Sequence, residues 1–244
     1  MRHVFIDCGS HDGCSIRKFR SLIDKEKRYE LFSFEANPNL EKYYNNLEPK
    51  QTHHNKAVWI DDGYRDFYIL GSCGAGTLNE AKKNQLERKN LSKKDIWRNF
   101  SRGVSNPNDR LEKLAIAKLH SKLDLEKIEV ETIDLPKWIK NNFKKDDYII
   151  LKLDVEGAEY EIIKKLFEVE AIEYINEIFI EFHNERCGKT REDDRLLLDQ
   201  IKAKGIEYDM HWDAMHHPYL IERECEEQQE RRTQDDLKKE ILDR

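Results

Sequence analysis

In FIDCGSHDGCS, positions 5 to 15, an apolar run ends in Asp7 and is followed by Gly9, Ser10, His11, Gly13 and Ser15. The two glycines let a backbone turn tightly and approach a ligand closely, and the helix start that follows offers unpaired N–H groups. A dinucleotide fingerprint would read G-x-G-x-x-G and lay a pyrophosphate on that helix start. Here the order is D-x-G-x-x-x-G: the central glycine is missing and an acid ends the strand. A carboxylate repels a pyrophosphate and attracts a cation such as an α-ammonium or a sulfonium. The spacing therefore predicts a turn around a nucleotide-like ligand with a positive reacting group, S-adenosylmethionine rather than NAD. His11 sits inside this turn, either against the ligand or as a plain turn residue.

Three further stretches carry candidate chemistry. FSFEANPNL puts Glu35 and Ala36 at the end of a second strand, where an acid accepts from ribose hydroxyls in nucleotide folds. The bland alternative is a surface carboxylate beside a helix capped by Asn37, with Pro38 as its first residue. In HNKAVW, Ala57 and its neighbours would meet an adenine edge, or form an ordinary buried strand end. ILKLDVEGAEYEII ends an apolar strand in Asp154, Glu156 and Glu159, three acids that repel one another unless a cation, hydrogen bonds or solvent relieve them. Glu159 reads as a first-turn charge on the next helix. EIFIEFH then brings Glu181 and His183 to a neighbouring strand end. Imidazole suits proton transfer, so His183 is a candidate general base, oriented by Asp154 or Glu181, and Asp154 is a second candidate. The same trio has the ligand types for a divalent cation, or His183 merely caps its strand. Cys73 in GSCGAGTL, positions 71 to 78, reads as part of a loop over the ligand and not as a nucleophile, and the histidines of DMHWDAMHHPYL read as a polar loop whose Trp212 and Tyr219 could stack on a substrate.

These residues need a scaffold with several strand ends on one side. Continuous apolar runs at 3–7, 30–36, 53–60, 148–154 and 177–183 predict strands covered on both faces. Helical spacing at 15–25, 38–47, 135–143, 158–167 and 195–205 alternates with them, which predicts a doubly wound, mainly parallel sheet. The runs 206–212 and 218–224 predict a closing antiparallel hairpin. Residues 79 to about 125 read as a charged helical insertion able to cap a site. The last stretch, 224–244, reads as a charged helix or tail on a single domain of 1–223.

The 244 residues include 43 Lys plus Arg against 49 Asp plus Glu, a net charge of −6. That balance lacks the basic footprint of a nucleic-acid wrapper. No apolar run reaches membrane-spanning length, and no basic start leads an apolar leader segment. Five dispersed cysteines without C-x-x-C argue against a disulfide framework or structural zinc and fit a reducing, cytoplasmic setting.

FIDCGSHDGCS, SFEANP, NKAV, VETIDL, LKLDVEGAEYEII and IFIEFH, in this order, resemble the FkbM-type methyltransferases over roughly 3–78 and 128–183. The resemblance implies a class I S-adenosylmethionine-dependent fold, Rossmann-like, with seven strands of which the last is antiparallel. It implies O-methyl transfer to a hydroxyl of a sugar, glycan or glycosylated metabolite. It assigns Asp7, Gly9, Gly13 and Ser15 to the first cofactor turn and Glu35 to the ribose. Asp154, Glu156 and Glu159 correspond to the family's D-x-E-G-x-E run. The insertion and the tail depart from the shared pattern. Two rivals stand beside this reading: a catalytically silent nucleotide-binding or scaffold module, and an NAD-linked oxidoreductase, which the missing glycine disfavours.

Overall fold

The computed structural model describes residues 1–70, 76–78 and 125–210. Cys73, residues 79–124 of the expected insertion, the histidine-rich run beyond Met210, the strand expected at 218–224 and the tail lie outside them. In chain order the elements are β1 (His3–Cys8), α1 (Cys14–Leu22), β2 (Glu30–Phe34), a 3-10 turn (Pro38–Tyr44), β3 (Gln51–His54), β4 (Ala57–Trp59), β5 (Gly63–Leu70) and β6 (Gly76–Thr77). Then come β7 (Leu125–Asp134), α2 (Leu135–Asn142), β8 (Tyr148–Leu153), α3 (Glu159–Glu168), a 3-10 turn (Ala171–Tyr174), β9 (Glu177–Ile180), α4 (Asn184–Cys187), α5 (Arg191–Ala203) and β10 (Glu207–Asp209).

Six strands form one all-parallel sheet in the order β10-β9-β8-β1-β2-β3. Period-two alternation sorts its side chains. Val4, Ile6 and Cys8 of β1 and Ile149, Leu151 and Leu153 of β8 share the larger core. Phe5 and Ile150 point the other way, into a smaller core with Ile16 and Phe19 of α1, where the Phe5 and Phe19 rings stack 4.0 Å apart. The same alternation sends Asp7 and Lys152, direct partners in the β1–β8 register, to the α1 face. The chain leaves β1 toward β2 on one side and returns through β8 on the other. This is a topological switch point, where a crevice opens beyond the strand ends.

A second sheet, β4-β7-β5-β6, was not expected as such. The run 53–60 is not one strand: a turn at Asn55 and Lys56 splits it, β3 pairing with β2 and β4 with β7. Residues 63–70 and 125–134 form an eight-residue antiparallel ladder that neither apolar run nor turn signal announced. Their charges, Arg65, Asp66, Lys127 and Glu131 among them, mask a strand whose buried side is carried by Phe67, Ile69 and Val130. One smaller correction follows. The segment 38–47 is a 3-10 turn ending at Tyr44; β10 lies parallel to β9, and the return strand of the expected hairpin lies outside the described residues. No helix among the described residues is long and apolar enough to cross a membrane.

Candidate active site

A cavity of about 260 Å³ opens beyond the carboxyl ends of β1, β2 and β8. The turn after β1 supplies Gly9, Ser10 and His11, and α1 supplies Cys14 and Ser15. Glu35 and Ala36 follow β2, and Lys56, Ala57 and Val58 lie at β4. Asp154, Glu156 and Ala158 follow β8, and the second sheet closes the roof with Phe67, Gly76 and Leu78.

Gly9 explains how two strand ends can diverge so closely. It adopts φ +78°, and a Cβ there would stand 1.9 Å from the Asp154 carbonyl oxygen. Its N–H and that of Ser10 both donate to the Phe34 carbonyl, at 3.0 and 3.1 Å, tying the turn to β2. Ser10 is fully buried and shares a 2.7 Å hydrogen bond with the Tyr44 hydroxyl, which also donates to the His11 carbonyl. Burial holds the Tyr44 phenol above its ordinary value, so it stays protonated near neutrality. Gly13, φ +78°, caps α1 and does not reach the cavity wall.

Glu35 is 8% exposed and accepts from the backbone N–H of His11 and of Asn37, both at 2.8 Å. Burial raises its carboxyl above the usual glutamate value, with the two N–H donors pulling the other way. Each oxygen keeps a lone pair, so the carboxylate can take two further donors, as a ribose diol would offer. Asp7 is not among the lining residues. Its fully buried carboxylate accepts from the Ser15 hydroxyl and lies 3.2 Å from the Lys152 ammonium. Lys152, 2% exposed, also reaches Asp154 at 3.6 Å and the Gly9 carbonyl at 3.4 Å. The acid that faces the cavity is therefore Asp154, backed by a lysine that Asp7 holds in place.

Behind Asp154 stands His183, 6% exposed. Its Nδ1 lies 2.9 Å from Glu159 Oε1, and Nε2 points toward Glu156 at 3.4 Å and toward Asp154 and Glu181 at 3.8 Å each. Glu159 is wholly buried and accepts from the N–H groups of Val155 and Gly157, at 3.0 and 2.9 Å. It is thus no solvated first-turn charge: it folds the loop back on itself and holds the imidazole. Thr77 of β6 pins the same loop from the roof by donating to the Glu156 carbonyl at 2.8 Å. Glu181 is half-exposed at the rim, and neither it nor His183 lines the cavity wall.

Sequence reasoning put Glu35, Ala57, Asp154 and the turn after β1 at this site and the 71–78 loop over it, but singled out none of Cys14, Phe34, Phe67, Lys152, Val155 and Ala158. A lysine inside an otherwise apolar strand, ILKLD, was the available signal for Lys152. Phe67 had none, because its sheet was not foreseen. A protein-family model, the Methyltransferase FkbM domain, matches residues 7–208. The chain belongs to this family. No curated protein and no solved structure gave a match. The FkbM domain spans both sheets, and its membership makes the chain an S-adenosylmethionine-dependent methyltransferase acting on a methyl acceptor. The donor set fits that cofactor: a buried acid with spare lone pairs after β2, apolar groups at β4 and a second acid after β8.

Proposed function

We propose that this FkbM methyltransferase methylates a hydroxyl of a sugar, glycan or glycosylated metabolite. The observation that carries the reading is the chain of contacts from cavity-lining Asp154 to buried His183 and on to Glu159. A hydroxyl acceptor has to shed a proton as the new bond forms, and this chain offers a fixed place to put it. The rim groups Glu156, Glu181 and Lys56 suit the several hydroxyls of a carbohydrate.

When bound, S-adenosylmethionine supplies an electrophilic methyl group on its sulfonium. Glu35 accepts from the ribose hydroxyls, and Ala36, Ala57 and Val58 flank the base. Gly9, Ser10 and His11 bring backbone close to the donor, and Gly13 sets the start of α1 behind them. Asp154 offsets the donor's positive charge. Asp7 acts beneath the floor, held by Ser15 of the wall, fixing Lys152 and through it Asp154. Alignment and exclusion of water by the Phe67 and Leu78 roof do the rest, since an in-line displacement asks mainly for positioning.

The test is a panel of glycans and glycosides incubated with the protein and isotope-labelled donor, read by mass spectrometry with fragmentation. Label on a sugar oxygen is the expected result. Label on nitrogen or on carbon only, or S-adenosylhomocysteine failing to raise the melting temperature, defeats the reading.

A further inference from the structure

We propose that Tyr44 is a positioning residue for the methyl donor, its hydroxyl holding His11 in the left-handed backbone conformation that presents the turn after β1 to S-adenosylmethionine. This role rests on the donor lying in the cavity of about 260 Å³ and is independent of the acceptor.

Three left-handed residues shape the turn: Gly9 at φ +78°, His11 at φ +49° and Gly13 at φ +78°. The two glycines take that conformation without steric cost. A histidine does not, because its Cβ crowds the backbone, so its surroundings must hold it there. Two side chains from outside the turn do so. Glu35 Oε2 accepts from the His11 N–H at 2.8 Å, and the Tyr44 hydroxyl donates to the His11 carbonyl at 2.8 Å. The peptide groups before and after His11 are thus each fixed, one by an acid that follows β2 and one by the end of the 3-10 turn.

The direction of these bonds is set. A carbonyl only accepts, so the single Tyr44 proton goes to His11, and the Ser10 hydroxyl, 2.7 Å away, donates to the Tyr44 oxygen. Burial keeps the phenol protonated. The ring has little freedom either: it is buried and stacks on His53 with centroids 3.5 Å apart and planes 4° from parallel. His53 is fixed in turn through Nδ1, 2.9 Å from Ser33 Oγ. Glu35 joins the two halves of the clamp, because its other oxygen accepts from the Asn37 N–H at the start of the 3-10 turn, also at 2.8 Å. The turn is therefore ordered before the donor arrives, and binding loses little affinity to ordering it.

The hydroxyl and the ring have separable roles. Without the hydroxyl, Ser10 keeps an acceptor in the Phe34 carbonyl at 3.3 Å, whereas the His11 carbonyl loses this donor and the left-handed backbone relaxes.

The test is calorimetric titration of the full chain with S-adenosylhomocysteine as wild type, Tyr44→Phe, His11→Gly and the double variant, with melts showing that each is folded. Tyr44→Phe should weaken binding about three- to tenfold. Glycine holds the left-handed conformation unaided, so in the His11→Gly background the same substitution should change affinity less than about twofold. His11→Asn, whose side chain also tolerates that conformation, serves as a second background. Tyr43→Phe, exposed on the same 3-10 turn, should alter nothing. A hydroxyl that merely packs the fold would lower the melt and give equal affinity changes in every background. That result, or unchanged affinity in Tyr44→Phe, overturns the proposal. Glu35→Gln, which alters the carboxylate offered to the ribose, tests the placement of the donor separately. If it weakens binding while Tyr44→Phe does not, the clamp alone fails. If wild type does not bind, or neither variant weakens binding, the donor does not lie in this cavity and both readings fall.

Discussion

At the scale of single residues, Asp7 and His183 separate holding from reacting. Asp7→Asn takes from the buried Lys152 ammonium its nearer carboxylate, at 3.2 Å, and leaves Asp154 at 3.6 Å. Breaking one partner from a buried pair costs about 3–5 kcal/mol, so the melting temperature should fall together with S-adenosylhomocysteine affinity. Affinity lost with the melt unchanged would mean that Asp7 touches the donor directly. His183→Asn should lower turnover by about 10²–10⁴-fold and leave donor affinity within about twofold, measured by steady-state kinetics and calorimetry. His53 gives a pH signature. Burial first, and neighbouring His54 second, push it down to about 4. The unfolded histidine titrates near 6.5, so below that the unfolded chain binds more protons. Stability is therefore complete above about pH 6.5 and falls as pH drops through 4, and His53→Gln should flatten that slope in melts taken between pH 7 and 4.

At the scale of elements, the turns between strands and helices govern the cavity. Gly9→Ala drives a Cβ into the Asp154 carbonyl and forces a left-handed backbone on alanine. Urea unfolding should show a loss of at least about 2 kcal/mol. Thr77→Val removes the roof's hydrogen bond to the Glu156 carbonyl, at a cost of about 1 kcal/mol, and should raise the KM for acceptor more than that for donor. The strands of the parallel sheet were legible because their runs are apolar on both faces, as in VFI and YIIL. Those of the second sheet were not, since one face is solvated and charges such as Arg65 and Asp66 interrupt the apolar positions. Glu159 was misjudged for a related reason. Its position at the start of α3 explains an acid there without any tertiary contact, and only the fold brings His183, 24 residues on, against it.

At the scale of the whole molecule, the order of motifs along the chain conveyed family and cofactor, while depth did not show. Which of Asp7 and Asp154 reaches the cavity depends on how β1 and β8 sit side by side, and nothing in either stretch alone states that register. That pairing has a consequence in time as well as space. Strand β1 lies between β2 and β8, so a nascent chain that has emerged only as far as Asn142 carries a central strand with one flank bare and a carboxylate whose lysine has not been translated. Such non-local pairing slows folding and leaves sticky edges open to other chains. Residues 1–142 expressed by themselves should stay unfolded by circular dichroism, and the complete polypeptide should refold slowly and gain yield from a chaperone that shields that flank.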